Sequence, residues 1–303
     1  MLFHFNLDPV AITVAGLSIH WYGLCFATGV WIVCFLLESD HSFQCLFKSK
    51  KQLDSFILVL LIGTMIGAKL GYLAFYTPQH LLFETFFSLS GLSFHGAVMG
   101  VVLAIFIFSA HSQIAFIRLT DRAAFYTPLG LFFGRIGNFL NSELWGRPTG
   151  EPWGIIFEKT DKLLLPRHPS QLYEAFGEGL LLWILLRAIS KRYKFDGLLS
   201  SSFMIGYGLL RLIIEQWRQP DAHIGFVLTV KVQTLLISLT FFALITRQRL
   251  GIIFFLLVSL YLYYQAYWHH ILFEMTMGQS LCAMMIAIGS FMALYYSKKK
   301  EIS

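Results

Sequence analysis

Nine apolar stretches constrain what this chain can fold into more than any other feature. They fall at about 14–37, 54–77, 94–111, 123–140, 171–189, 197–216, 226–245, 250–268 and 278–296. A span of about 20 apolar residues crosses a hydrocarbon core of roughly 30 Å. Lipid offers the backbone no hydrogen bonds, so such spans are expected as helices. The connections after the odd-numbered spans carry the basic clusters. These are Lys48, Lys50 and Lys51; Arg118 and Arg122; Lys191, Arg192 and Lys194; Arg247 and Arg249; and Lys298, Lys299 and Lys300 in the tail. Strict alternation places those connections in the cytoplasm, with the N-terminus and the even-numbered connections outside. A single missed span would break the alternation. The expected fold is all-α: a polytopic membrane protein of nine crossings with its C-terminus cytoplasmic.

Composition agrees. Of 303 residues, 56% are hydrophobic, 17% aromatic and only 13% charged, and mean hydropathy is +0.65. That excludes an ordinary water-soluble globule. The formal charge of +6 resides in short clusters between spans, so it reads as an orientation signal and not as a nucleic-acid footprint. The first residues have neither a basic n-region nor a small-residue cleavage site, so no removable signal peptide is expected. Cys25, Cys34, Cys45 and Cys282 lie in or beside apolar spans without metal-ligand spacing. They imply neither disulfides nor a metal site. The connection at about 141–170, rich in Pro, Gly and charge, is expected to form a small extracytoplasmic head. Gly63, Gly67 and Gly71 place one small residue per turn on the second span, a face suited to close helix packing in lipid.

Against this apolar background the tract from Gly134 to Arg147 stands out. It holds Arg135, Asn138, Asn141, Glu143 and Arg147 beside an apolar helix. An arginine at the centre of a membrane helix costs about 3 kcal/mol on insertion scales. A guanidinium offers two parallel donors to a phosphate, and a nearby amide can orient an ester oxygen. The bland alternative for Arg135 is an interfacial side chain snorkelling to headgroups, but that explains one charge and not the ordered set with Glu143, Gly146 and Arg147. On the sixth span Tyr207, Arg211, Glu215 and Arg218 share a helical face, with Arg211 and Glu215 spaced to pair. They form either a structural ion pair or a second cationic clamp facing Arg135. His95 opens the third span with Gly96 and Gly100 behind it; a base, a phosphate donor and a satisfied interfacial histidine all fit. Tyr22 and Tyr76, at outer span ends, fit an aromatic belt as readily as a headgroup site. Lys69 within the second span needs a polar interior or a path to the interface. Pro169 and Ser170 read as a helix start, with Glu174 placed to help cap it. No strand-elbow or Ser/His/Asp set supports a serine hydrolase.

At these residues the chain resembles the phosphatidylglycerol–prolipoprotein diacylglyceryl transferase family. The resemblance rests on Gly134, Arg135, Gly137, Asn138, Phe139, Asn141, Glu143 and Gly146. It extends to Trp21-Tyr22-Gly23, Gly71-Tyr72 with Phe75-Tyr76, Ser93-Phe94-His95-Gly96, Arg167 to Glu174, and Arg211 with Glu215 through Asp221. It thus runs from about residue 10 to 225. Lys69 stands where the family usually has arginine, and Ala97 and Ser142 where it has glycine. Lysine keeps the charge without the bidentate fork. The family's Met-Gly-Gln block, here Met277-Gly278-Gln279, follows Asp221 only after two further spans. That implies a seven-helix family core, residues 1–225 and 270–303, interrupted at 226–269 by an inserted transmembrane hairpin that leaves the orientation of the last helix unchanged.

The resemblance implies transfer of a diacylglyceryl group from phosphatidylglycerol to the lipobox cysteine of a prolipoprotein, with release of glycerol 1-phosphate, in the bacterial inner membrane. His95, Arg135 and Arg211 are the expected catalytic residues; Tyr22, Tyr76, Asn138, Glu143, Gly146, Tyr207 and Glu215 are expected to bind substrate or shape its site. The expected partners are phosphatidylglycerol, the prolipoprotein signal peptide and the lipid bilayer, with no cofactor, metal or nucleic acid. The alternative is a lipid transporter or flippase, which lacks the support of an inverted repeat or paired broken helices.

Overall fold

The computed structural model describes residues 3–14, 16–76, 91, 93–219 and 277–302. The expected spans at 226–245 and 250–268, and with them the inserted hairpin, lie outside these residues. Within the described residues the chain is predominantly helical. The long helices are α1 (Trp21–Ser39), α3 (Lys50–Tyr76), α4 (Phe94–Ser112), α5 (Phe116–Leu140), α6 (170–192), α7 (Leu198–Ile214) and α8 (Met277–Ile302), with a single turn α2 (His41–Gln44). Three described helices, in α1, α3 and α4, are long and apolar enough to cross a membrane. Their outward residues include Trp31 and Phe35 on α1, Ile62 and Met65 on α3, and Phe106 and Ile107 on α4, all exposed. Exposed apolar faces of this extent suit lipid and not water, and the chain is a multi-pass membrane protein.

Residues 14–20 differ from expectation. Strand β2 (Val10–Val14) pairs antiparallel with β3 (Leu17–His20), Val14 opposite Leu17, and α1 begins only at Trp21. Gly16 sits at φ +81°, a conformation that favours glycine and lets the chain reverse there. An apolar hairpin directly before an apolar helix has the hydropathy of a longer span, which is why the two merge in the sequence. A second short pairing, parallel, joins β1 (Phe3–Phe5) to β4 (Ile155–Phe157).

The described chain divides into two units. Ile32–Tyr126 is the smaller. Here Gly63, Gly67 and Gly71 of α3 meet Gly96, Gly100 and Ala104 of α4: a Cβ on Gly67 would lie 2.6 Å from Gly100 Cα, and one on Gly63 2.6 Å from Ala104 Cβ. The expected small-residue face is therefore a backbone-to-backbone seam. Gly100→Val is expected to destabilise the protein by about 3 kcal/mol through overpacking. The thermal midpoint in detergent checks this, with Gly23→Val as control because nothing lies within 4 Å of a Cβ there. Phe43, Phe47, Phe56 and Phe108 close one end of the unit, with ring centroids 4.9 Å apart for Phe43–Phe47 and Phe56–Phe108. Helix α5 starts earlier than the apolar run suggests because its charged first turns are paired. Arg122 Nη1 lies 3.2 Å from Asp40 Oδ2, and Tyr126 donates its hydroxyl to the same oxygen at 3.1 Å. Asp40 also caps α2 by accepting from Ser42 N and Phe43 N.

Met1–Trp31 with Thr127–Ser303 is the larger unit. Helix α6 is not uniform: Ser170–Glu174 and Leu182–Arg192 are α-helical, while Ala175–Leu181 between them is a π-helical segment. Such segments are rare and concentrate at functional sites. Gly179 brings α6 onto α5, where a Cβ would lie 2.7 Å from Phe132 Cβ. Gly208 and Gly289 bring α7 and α8 together in the same way, against Ile286 and Met204 respectively.

Candidate active site

One buried carboxylate organises the larger unit. Glu174, fully buried on α6, presents Oε2 to Arg135 Nε of α5 at 2.9 Å. Its Oε1 lies 2.5 Å from Arg211 Nη1 of α7 and 3.2 Å from Arg218 Nε. Arg211 has two further acidic neighbours. Glu178 Oε1 stands 3.2 Å from Nη1, and Glu215 Oε2 stands 3.2 Å from Nε, one helical turn on. Three guanidinium groups and three carboxylates thus form a continuous set whose formal charges balance. Burying any of these charges alone is prohibitive, so each requires the others. Tyr207, one turn before Arg211 on α7, is buried and stacked on Phe203 at 5.7 Å.

Arg135 and Arg211 are thus joined through opposite oxygens of one glutamate, an ionic contact that the sequence alone did not single out. The expected pairing of Arg211 with Glu215 is also present. Glu174 itself corrects the sequence reading. It does not cap its helix: α6 starts after Pro169 with no side-chain cap, and the carboxylate points instead at the arginines. Glu178 was overlooked. A second glutamate one turn after the first, inside an apolar span, was the available signal.

The tract following Arg135 builds the rim. Asn138 donates from Nδ2 to Glu143 Oε1 at 2.8 Å, while Gln171 at the start of α6 donates to the Glu143 carbonyl at 2.7 Å. Tyr22 packs across Gly137, where a Cβ would lie 3.1 Å from Tyr22 Cα, and its N–H donates to Asn141 Oδ1 at 3.4 Å. Gly146 runs between two other backbone segments. Its N–H donates to His168 O at 2.9 Å, and Arg147 N donates to Trp217 O at 2.9 Å. A Cβ at 146 would stand 2.5 Å from that Trp217 carbonyl, so only glycine fits. This clamp ties the signature tract to the segment carrying Arg218.

Ser142 and Leu144 both adopt left-handed backbone, φ +57°, a conformation that costs a non-glycine residue about 1–2 kcal/mol. Buried Ser142 Oγ has no hydrogen-bond partner among the described residues. Glycine at 142 is thus the residue the backbone prefers. Ser142→Gly is expected to stabilise the protein by up to about 1 kcal/mol once the looser unfolded chain is counted, and so to raise the thermal midpoint. Ser142→Val should lower it.

Arg167 holds the head together. It pairs with Asp161 through Nε–Oδ2 at 2.6 Å and Nη2–Oδ1 at 3.1 Å. It also lies 3.7 Å above the Trp145 ring and exchanges both backbone hydrogen bonds with Ile155. The Arg167 guanidinium holds the Asp161 carboxyl below the usual carboxylate range, and burial pushes His168 below the usual imidazole value. Both groups therefore stabilise the head above their unfolded pKa values and cease to as pH falls through the folded ones. Hydrogen-exchange protection over residues 141–170, taken relative to the intrinsic rate at each pH, should fall on acidification, first below about 6.5 and again below about 4. Protection independent of pH would contradict this.

His95, Tyr76 and Lys69 belong to the smaller unit. His95 is exposed in the first turn of α4, whose N-cap Ser93 accepts from Gly96 N at 3.3 Å. Tyr76 closes α3. Lys69 is buried, with Nζ 3.5 Å from the Gly91 carbonyl and 5.9 Å from the Tyr72 ring centroid, so it has found polar company within its own unit.

Comparison with known proteins agrees with the resemblance drawn from these residues. The family model described as prolipoprotein diacylglyceryl transferase matches residues 9–295. A relative from Bordetella bronchiseptica is 39% identical over 235 residues, covering 75% of this chain and 88% of the relative. One from Wolinella succinogenes is 39% identical over 73% of this chain and 85% of its own length. One from Rickettsia bellii is 41% identical over 73% and 86%. All three are named phosphatidylglycerol–prolipoprotein diacylglyceryl transferase. With the match covering nearly its whole length, this chain belongs to the prolipoprotein diacylglyceryl transferase family.

Proposed function

We propose that the chain transfers the diacylglyceryl group of phosphatidylglycerol to the thiol of a lipobox cysteine in a prolipoprotein signal peptide, releasing glycerol 1-phosphate. The observation that carries this reading is the convergence of Arg135, Arg211 and Arg218 on Glu174. Arg135 meets Glu174 through Nε, and its guanidinium carries two terminal nitrogens beyond that contact. That end of the fork suits a phosphate oxygen.

The thiolate attacks the glycerol carbon that bears the phosphate ester. The carbon–sulfur bond forms as the carbon–oxygen bond breaks, and the electron pair passes to the phosphate oxygen of departing glycerol 1-phosphate. A free cysteine has a pKa of about 8.5, so a base must take its proton. His95 is assigned to that work or to orienting the phosphate. Charge grows on the leaving phosphate, where fixed guanidinium groups stabilise the transition state more than the ground state. Glu174 and Glu215 hold Arg211 in place, and Asn138, Glu143 and Gly146 shape the rim. Tyr22, Tyr76 and Tyr207 are assigned to the headgroup and pocket wall. The alternation of basic clusters supports an inner-membrane protein with an external N-terminus and head and a cytoplasmic C-terminus. Incubating the purified chain with phosphatidylglycerol and a lipobox peptide tests the reading: thioether-linked peptide and glycerol phosphate are expected, and unmodified peptide would refute it.

A further inference from the structure

Between Asp161 and Arg167 the head presents three successive leucines to the outside: Leu163, Leu164 and Leu165 are 70%, 54% and 37% exposed. The turn is built to do so. Asp161 Oδ1 accepts from Leu163 N at 3.1 Å and Oδ2 from Leu165 N at 3.2 Å. Its carbonyl accepts from Leu164 N at 3.1 Å. These bonds hold Leu164 in left-handed backbone, φ +50°, where a branched aliphatic residue is disfavoured. A loop stabilised only by hiding its leucines would not take this shape.

We propose that this turn is an interfacial anchor that inserts into an anionic lipid surface and fixes the head against the bilayer. The head leaves α5 at Leu140 and enters α6 at Ser170, so both its ends join helices of a membrane protein. Charge favours anionic lipid. The one acid in the turn, Asp161, is buried and neutralised by Arg167. The exposed charge at the tip is Lys162, directly before the leucines. A cation flanking a short apolar group is the composition of an anionic-membrane contact. Trp153 adds a second apolar element. It is 55% exposed, its indole N–H donates to Tyr173 Oη at 2.9 Å, and its neighbour Gly154 abuts Pro166 at the end of the turn. A tryptophan with a satisfied N–H and an open face suits the headgroup layer.

The test places a photoreactive residue, Leu163→p-benzoylphenylalanine, in the full chain in nanodiscs containing anionic lipid, with Glu158→p-benzoylphenylalanine as control, an exposed head position that pairs with His4 and belongs to neither apolar element. Mass spectrometry after illumination should find lipid adducts at 163 several-fold more abundant than at 158. Adding Lys162→Glu should reduce them roughly fivefold or more, while nanodiscs of neutral lipid should give fewer adducts. Absence of lipid adducts, or adducts at 163 no more abundant than at 158, overturns the proposal. So does crosslinking at 163 to an added lipobox peptide in place of lipid, which would make the turn a peptide-docking surface. None of these readouts depends on transfer activity.

Discussion

Glu174→Gln is expected to lower the stability of the folded protein by about 3–5 kcal/mol, the effect of removing one partner from a buried ionic cluster. The carboxylate touches Arg135, Arg211 and Arg218 and is fully buried. Glutamine keeps the volume but offers one carbonyl oxygen where two charged oxygens stood. Three guanidinium groups would then rely on Glu178 and Glu215, both of which pair with Arg211. Arg135 would lose the carboxylate it touches and repel Arg211. In detergent the thermal midpoint should fall by on the order of 10 °C, and transfer should collapse with it. Glu143→Gln, which alters the rim and keeps the central carboxylate, should cost far less stability. A Glu174→Gln protein as stable as the parent would show that the cluster is not held by this residue.

Arg135→Ala is expected to separate chemistry from folding. Arg135 touches one carboxylate where Glu174 touches three guanidinium groups, and Glu174 retains Arg211 and Arg218 in this variant, so the stability cost should be smaller than that of Glu174→Gln and the folded protein can be assayed. Transfer should fall by about 10²–10³, the effect of deleting one preorganised donor aimed at developing charge. Arg135→Lys should recover part of the rate, since it keeps the charge but not the planar fork. A normal rate of thioether formation by a folded Arg135→Ala protein would remove this side chain from the reaction.

Much of this architecture was legible in the sequence because lipid imposes a simple rule. Seven of the nine apolar runs coincide with described helices, and the glycine face on α3 meets the partner its spacing implied. Errors arose where local charge or turn chemistry overrode hydropathy. The β2–β3 hairpin is apolar and merged with α1, while α5 extends back to Phe116 because Asp40 neutralises Arg122, a contact between segments far apart in sequence. At the site, Arg135, Arg211 and Glu215 could be chosen from their conflict with an apolar setting. Glu174 sat beside a plausible helix start, and the local capping explanation hid its long-range role. Only the packing of α5, α6 and α7 brings that carboxylate to three arginines drawn from two distant segments.

The central claim, that this arginine cluster grips the phosphate of the lipid substrate, is tested most directly by an experimental structure of the protein with bound phosphatidylglycerol. The phosphate should lie with an oxygen about 3 Å from a terminal nitrogen of Arg135, on the side facing Arg211. A phosphate held elsewhere, with the set around Glu174 intact and dry, would contradict the account.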